Sequence, residues 1–291
     1  MLAGVAAVVF FILHLTGDPA AIMIAPDATQ AELTAFRHAQ GFDRPLVVQF
    51  IAYAGGLLHG DIGNSLRHET SALALVLDRL PATMELAFFA LGVMLLIAIP
   101  AGVVSAIKPN SLLDWVVRLL ALIGQSAPTY WIGLMLILLF GVGLGWLPTS
   151  GIGGLRHLIL PGLTLGFFSA AKIMRLTRAS MLETLGTDYL RTAAAKGLAP
   201  VRVIVKHALR NAWLPIVTAI GIEFGTLLSG AIITENIFAW PGIGRLAVQG
   251  VLDRDFPVVE GVVLVTATIF VLINVLVDVT YAALDPRIRY E

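Results

Sequence analysis

The stretch from Lys172 to Pro215, KIMRLTRASMLETLGTDYLRTAAAKGLAPVRVIVKHALRNAWLP, sets eight basic residues (Lys172, Arg175, Arg178, Arg191, Lys196, Arg202, Lys206, Arg210) against two acids (Glu183, Asp188). The segments on either side are almost uncharged. A basic loop between apolar segments marks the membrane side on which Lys and Arg collect. Within it, Asp188 to Lys196 is rich in helix formers, Gly197 stands where a helix C-cap belongs, and Pro200 can open a second helix from its first turn. The expectation is two short helices with a tight break. Neither can bury an apolar face alone outside the bilayer, so the pair requires a partner surface, and the loop reads as a docking device.

Around this loop the chain of 291 residues is 58% hydrophobic and 13% charged. That is far more apolar than a soluble domain of this length, and the chain reads as an integral membrane protein. Net charge is zero and the basic residues sit in loops flanking apolar spans, which argues against nucleic-acid binding. The chain has no cysteine, which excludes disulfides, thiolate metal sites and cysteine nucleophiles. Six histidines (His14, His38, His59, His68, His157, His207) are scattered without ligand spacing and read as loop or interface residues, so no metal site is expected.

In chain order, Leu2 to Leu15 is apolar but short of the ~20 residues of a spanning helix and is read as the outer part of a first span that begins upstream of this start. Thr16 to Leu80 is an external loop, with more acids than bases and short helices at 28–39 and 46–58. The second span is Met84 to Ile107, entered after Pro81; Asn110 to Leu120 returns along the inner surface. The third, Leu122 to Val142, is kinked by Pro128, which removes a backbone donor. The fourth begins at Leu158 and runs past Lys172 and Arg175. The fifth is Ile216 to Ile233 and the sixth Val258 to Ala282. Twelve of the nineteen Lys and Arg then fall inside: Lys108, Arg118, the eight of the central loop, Arg287 and Arg289. This is the asymmetry expected of six spans with both termini inside. The chain reads as one membrane domain over residues 1–291.

No phosphate-binding loop, nucleophile elbow or zinc-protease helix occurs, and an enzyme is disfavoured. Glu223, in the GIEFGTLLSG segment of the fifth span, stands out because a carboxylate near mid-bilayer needs water, a partner or a proton. It lines a path or makes a buried structural pair, and the sequence leaves both open. Ser229 and Asn274 are the other polar candidates for a path, while Asp278 reads as pairing near the inner end. Gly221, Gly225 and Gly230 permit close helix approach. In the outer loop Thr234 to Leu246, Trp240-Pro241-Gly242 reads as a turn with an interfacial aromatic.

Taken together, DYLRTAAAKGL (Asp188 to Leu198), HALRNAWLP (His207 to Pro215), TENIFAWPGIGRL (Thr234 to Leu246) and LVDVTYAALDPRIR (Leu276 to Arg289) resemble the inner-membrane permease subunits of the dipeptide/oligopeptide/nickel class of binding-protein-dependent ABC importers. GDP (Gly17 to Pro19), HGDIGNS (His59 to Ser65) and RLPATMELA (Arg79 to Ala87) resemble the same family's first outer loop and second span. The wider family's inner signature is Glu-Ala-Ala-x-x-x-Gly; here Arg191, Thr192 and Ala193 occupy the first three positions and Gly197 the last.

The resemblance implies an all-α polytopic fold of the type I ABC importer permease kind, in the bacterial inner membrane. It implies that Asp188, Arg191, Thr192, Ala193, Ala194, Ala195, Lys196 and Gly197 dock on a cytoplasmic ATPase, with ATP hydrolysed by that partner and no cofactor bound by this chain. Implied partners are two ATPase subunits, a second similar permease forming a heterodimer, and an external binding protein met by the Asn236, Trp240, Pro241 and Gly242 loop. Peptides are the expected cargo, with nickel chelates or glutathione as alternatives. The competing reading is a secondary transporter or channel with Glu223 as its proton or ion site.

Overall fold

A computed structural model describes residues 1–15, 20, 21, 24, 28–65 and 67–284. The Gly17 to Pro19 motif and the tail from Asp285 lie outside the described residues, as do the side chains of His14 and Asp278. The described residues form helices in the order α1 (Leu2–Leu15), α2 (Gln30–Gln40), α3 (Leu46–Leu58), α4 (Ala72–Ile107), α5 (Leu112–Ser126), α6 (Thr129–Gly143), α7 (Leu155–Leu185), α8 (Asp188–Ala195), α9 (Pro200–Ile237), α10 (Ile243–Leu252) and α11 (Phe256–Leu284). In hydrocarbon, backbone groups must be satisfied within the segment, which is why the apolar runs are helical throughout.

Among the described residues four helices are long and apolar enough to cross a membrane: α4, α7, α9 and the Phe256–Val277 part of α11. The pair α5 and α6 makes a fifth if counted as one span, although its two halves meet at 107°. Pro128 causes that bend, because it has no N–H to give and holds Ala127 in an extended conformation (φ −78°, ψ 130°). Of the six spans expected, the remaining one falls on α1, a 14-residue helix. Two boundaries differ from the sequence reading. Helix α4 begins at Ala72 and carries Pro81 inside it. Pro200 opens the 38-residue α9 rather than a separate short helix, and widened π turns at Val203–Ala208 carry the chain into the span.

The chain divides into two compact units. The first comprises Met1–Thr83 and Pro241–Val271. Its core packs Ala72 and Val76 of α4 against Ile243 and Leu246 of α10 and Val258 and Val262 of α11. The HGDIGNS motif is pinned to the start of α11: buried Ser65 donates to the buried carboxylate of Asp255, and Gly63 lies against Pro257. Helix α2 starts in a capping box, with the Thr29 hydroxyl accepting from Glu32 N–H and the Glu32 carboxylate from Thr29 N–H.

The second unit comprises Met84–Trp240 and the chain from Leu272. Its core is built from Met94 and Ala98 of α4, Ala170, Ile173 and Met181 of α7, and Ala212 and Ile216 of α9. Glycines set the α4–α7 distance. A methyl on Gly102 would fall 2.7 Å from the Met174 carbonyl oxygen, and one on Gly166 would fall 2.7 Å from that of Ala90.

The unit is clamped by a carboxylate that the sequence reading placed on an inner surface. Asp114 has no exposed surface. It accepts a bidentate pair from Arg178 (2.8 and 2.9 Å), a bond from Asn110 N–H (2.9 Å) and another from the Ser105 hydroxyl. Arg118, one turn on in α5, adds a second guanidinium at 3.4 Å. Asp114→Asn keeps the shape but strands Arg178. It is expected to cost about 3–5 kcal/mol, seen as a lower melting temperature of the detergent-solubilised protein; an unchanged melting temperature would show that the clamp carries no stability.

Candidate functional site

The eight residues singled out between Asp188 and Gly197 form α8 and its C-terminal cap. Helix α8 is held by one buried side chain, Leu190, which enters the core beside Ala208 and Ala212 of α9. Tyr189, beside it, is half exposed but tied at its hydroxyl: it donates to the His207 carbonyl (3.3 Å) and accepts from the Asn211 amide, which also donates to that carbonyl (3.0 Å). His207 belongs to the π turns of α9. The short helix is therefore fastened to the first turns of a long span by one apolar anchor and a three-residue polar tether.

The rest of α8 is open. Asp188, Arg191, Thr192, Ala194, Ala195, Lys196 and Gly197 are exposed and Ala193 is half-buried. The Thr192 hydroxyl is occupied by the Asp188 carbonyl (3.1 Å), and the Arg191–Asp188 pair is a solvent-exposed contact at 3.4 Å. Such a pair contributes under about 1 kcal/mol. Gly197 ends the helix at φ +78°, in the left-handed region, with its N–H on the Ala194 carbonyl (3.0 Å). A side chain there is strained by about 1–2 kcal/mol. Ala194 and Ala195 of α8 and Val201 and Val205 of α9 (71% and 56%) are exposed apolar side chains in a segment whose exposed charges include Arg191, Lys196, Arg202 and Lys206. Small side chains there allow another backbone to come close, and the basic charges suit an acidic counterpart.

Glu223 faces inward, 6% exposed, and meets Lys172 of α7 at 2.9 Å. The Lys172 ammonium also lies 5.1 Å from the centre of the Phe168 ring. The second carboxylate oxygen of Glu223 is buried and has no partner among the described residues. Ser229 lies six residues on in α9, about 120° around the helix. It is exposed, and its hydroxyl donates to the Gly225 carbonyl at 3.3 Å. Asn274 is half-buried in α11. Of the three path candidates, Glu223 belongs to an interhelical ion pair, Ser229 is exposed and Asn274 half-buried.

The outer-loop candidates divide similarly. Asn236 is exposed and Pro241 half-buried, whereas Trp240 is fully buried and Gly242 is buried. Trp240 is therefore a core residue rather than an interfacial aromatic, and its side chain has no surface to offer a partner. Its N–H caps α9 on the Glu235 carbonyl (2.8 Å) and Ala239 takes a left-handed φ of +49°, so the turn is closed by burial. Two charged sites escaped the sequence reading. Arg178 was counted as a loop charge yet forms the Asp114 clamp, and Glu260, in the expected sixth span, is 9% exposed. An acid inside an apolar run, as in FPVVEGVVLV, is the signal that marks Glu260.

Comparison with known proteins follows this geometry. Residues 98–290 match the family described as the binding-protein-dependent transport system inner membrane component, and residues 1–87 match its N-terminal membrane-component family. The dipeptide transport system permease protein of Escherichia coli K12 is 41% identical over 325 residues, covering 99% of this chain and 95% of that protein. A di/tripeptide transport system permease protein of Pseudomonas aeruginosa is 40% identical over 318 residues, covering 99% and 95%. A glutathione transport system permease protein of Salmonella typhi is 42% identical over 288 residues, covering 99% and 94%.

Among solved structures, an inward-facing form of the MetNI methionine ABC transporter superposes with a TM-score of 0.62 at 22% identity, over 72% of this chain and 96% of that one. An amino acid ABC transporter with histidines gives 0.56 at 17% identity, over 72% and 94%. At those identities the likeness is one of fold, and the fold is that of a type I ABC importer permease. By both family matches and by full-length identity, the chain belongs to the inner-membrane components of binding-protein-dependent transport systems.

Proposed function

We infer that this chain is the membrane-spanning permease subunit of an ATP-driven peptide importer, and that α8 is the element through which a cytoplasmic ATPase moves it. The observation that carries the reading is the construction of α8. It has an anchored back (Leu190, Tyr189) and exposed alanines among exposed basic residues, fastened to the start of a 38-residue span. A helix built this way passes a displacement of its front face to α9 instead of absorbing it. Nucleotide-driven closure of two ATPase subunits would pull α8 and rock the spans between inward-open and outward-open packings. The permease supplies the path and the partner the energy.

The full-length relatives named for dipeptides, di/tripeptides and glutathione support short peptides as cargo. The same reading gives the complex a second, similar permease, an external binding protein met by the exposed Asn236 end of α9, and both termini on the ATPase side. The competing reading, a secondary carrier with Glu223 as its ion site, is countered by Lys172, which already holds one oxygen of that carboxylate. The other oxygen keeps Glu223 a candidate for the path.

Two experiments test this. The double change Ala194→Glu and Ala195→Glu puts bulk and negative charge on an exposed face and leaves the Leu190 anchor alone. It is expected to lower peptide-stimulated ATP hydrolysis and uptake by the reconstituted complex at least about tenfold, equivalent to 1.4 kcal/mol of coupling, with normal insertion and melting temperature. Undiminished uptake overturns the assignment of α8. Separately, Glu223→Gln is expected to weaken uptake several-fold while the complex still assembles; normal uptake by that variant would take Glu223 out of the path.

A further inference from the structure

Within the first unit, α1, α3 and the start of α11 border an open cavity of about 400 Å³, lined among others by Phe10, Phe42, Arg44, Tyr53, Phe256 and Glu260. Two of its polar groups have no hydrogen-bond partner among the described residues, and one of them is fully buried. The Tyr53 hydroxyl is buried and bonds to nothing among the described residues. Glu260 is 9% exposed, and no hydrogen bond or ion pair reaches it among the described residues. Burial, and after it the Glu260 charge, hold the Tyr53 phenol above its usual range, so it meets the cavity as a neutral hydroxyl.

Glu260 and Phe256 also line a second cavity of about 610 Å³ between α1 and α11. Its other walls are apolar: Met1, Gly4, Val5, Val8, Val9 and Ile12 from α1, Val259 and Val263 from α11. The carboxylate therefore lines both a chamber of mixed polar and apolar walls and an oily groove.

We propose that this pair of cavities is a binding site for an aminophospholipid, with its primary ammonium head between Glu260 and Tyr53 and an acyl chain in the groove between α1 and α11. A carboxylate beside hydrocarbon costs several kcal/mol unless a counter-charge meets it. An ammonium head supplies that charge and three N–H donors, of which Glu260 takes at least one and the free Tyr53 oxygen another. Phe10, Tyr53 and Phe256 line the same chamber, and aromatic rings attract a cation held near them. Arg44, exposed and lining the same chamber, supplies a guanidinium for the lipid phosphate. A free peptide amine shares the head chemistry but leaves the groove empty, and a trimethylammonium head has no N–H to give either acceptor. The site does not depend on the transport reading.

The test is native mass spectrometry of the assembled complex, offered equal amounts of phosphatidylethanolamine and phosphatidylcholine with the same acyl chains. The wild type is expected to retain the ethanolamine lipid about tenfold over the choline lipid. Glu260→Gln and, separately, Tyr53→Phe should bring the ratio close to one, while Glu183→Gln, at an exposed acid of α7, should leave it unchanged. Should Glu260→Gln not assemble, Tyr53→Phe decides alone. Equal retention of both lipids by the wild type, or a preference that survives in the variants, overturns the proposal. Displacement of the lipid by a free dipeptide also overturns it, because the ammonium site would then belong to the transported solute.

Discussion

Three stretches of chain meet at the Asp114 carboxylate of α5: the end of α4 through Ser105, the turn into α5 through Asn110 N–H with Arg118 one turn further on, and the later part of α7 through two nitrogens of Arg178. A charge without exposed surface tolerates no vacancy in its shell, so the three stretches are fixed relative to one another as tightly as the hydrogen bonds allow. The apolar core around Met94, Ile173 and Met181 tells the helices which faces to bury but not how far to slide. The clamp supplies the missing coordinate. The Lys172–Glu223 pair does the same between α7 and α9, so α7 carries one cation for α5 and another for α9.

Much of this was legible in the sequence. Apolar runs gave α4, α7, α9 and α11, because in lipid a long uncharged segment has only the helix open to it. Gly197 read as a cap and is one, at φ +78°. Pro128 read as a kink and gives a 107° break. Ends were harder. Pro81 looked like a beginning, yet α4 already has Ala72 and Val76 buried nine and five residues earlier, and that packing outweighs one missing N–H. Pro200 looked like the start of something short, and only the π turns that follow let it lead into a span without a stop.

The site was legible in one dimension and not in three. Composition and spacing found α8 and Glu223, because exposed alanines in a basic loop and a lone acid in a span are local anomalies. The partners were not local: Arg178 lies 64 residues from Asp114, and Lys172 lies 51 from Glu223. Arg178, counted as a loop charge, stands in the later turns of a span and reaches back to an acid. Trp240 failed for the related reason that a Trp-Pro-Gly turn reads the same whether its ring meets lipid, a partner or a core; burial decided it.

The glycines between α4 and α7 have a mechanical consequence. With backbone in contact at Gly102 and Gly166, and the Arg178 clamp beyond, the two helices bend or tilt only together, as a single girder. Helix α7 alone is about 45 Å long. A tilt of about 5° at the end near Leu185 therefore sweeps the opposite end, near Leu155, through about 4 Å, by the geometry of a rigid rod of that length. Amplification of this kind needs no flexible part between the two ends, only a stiff one.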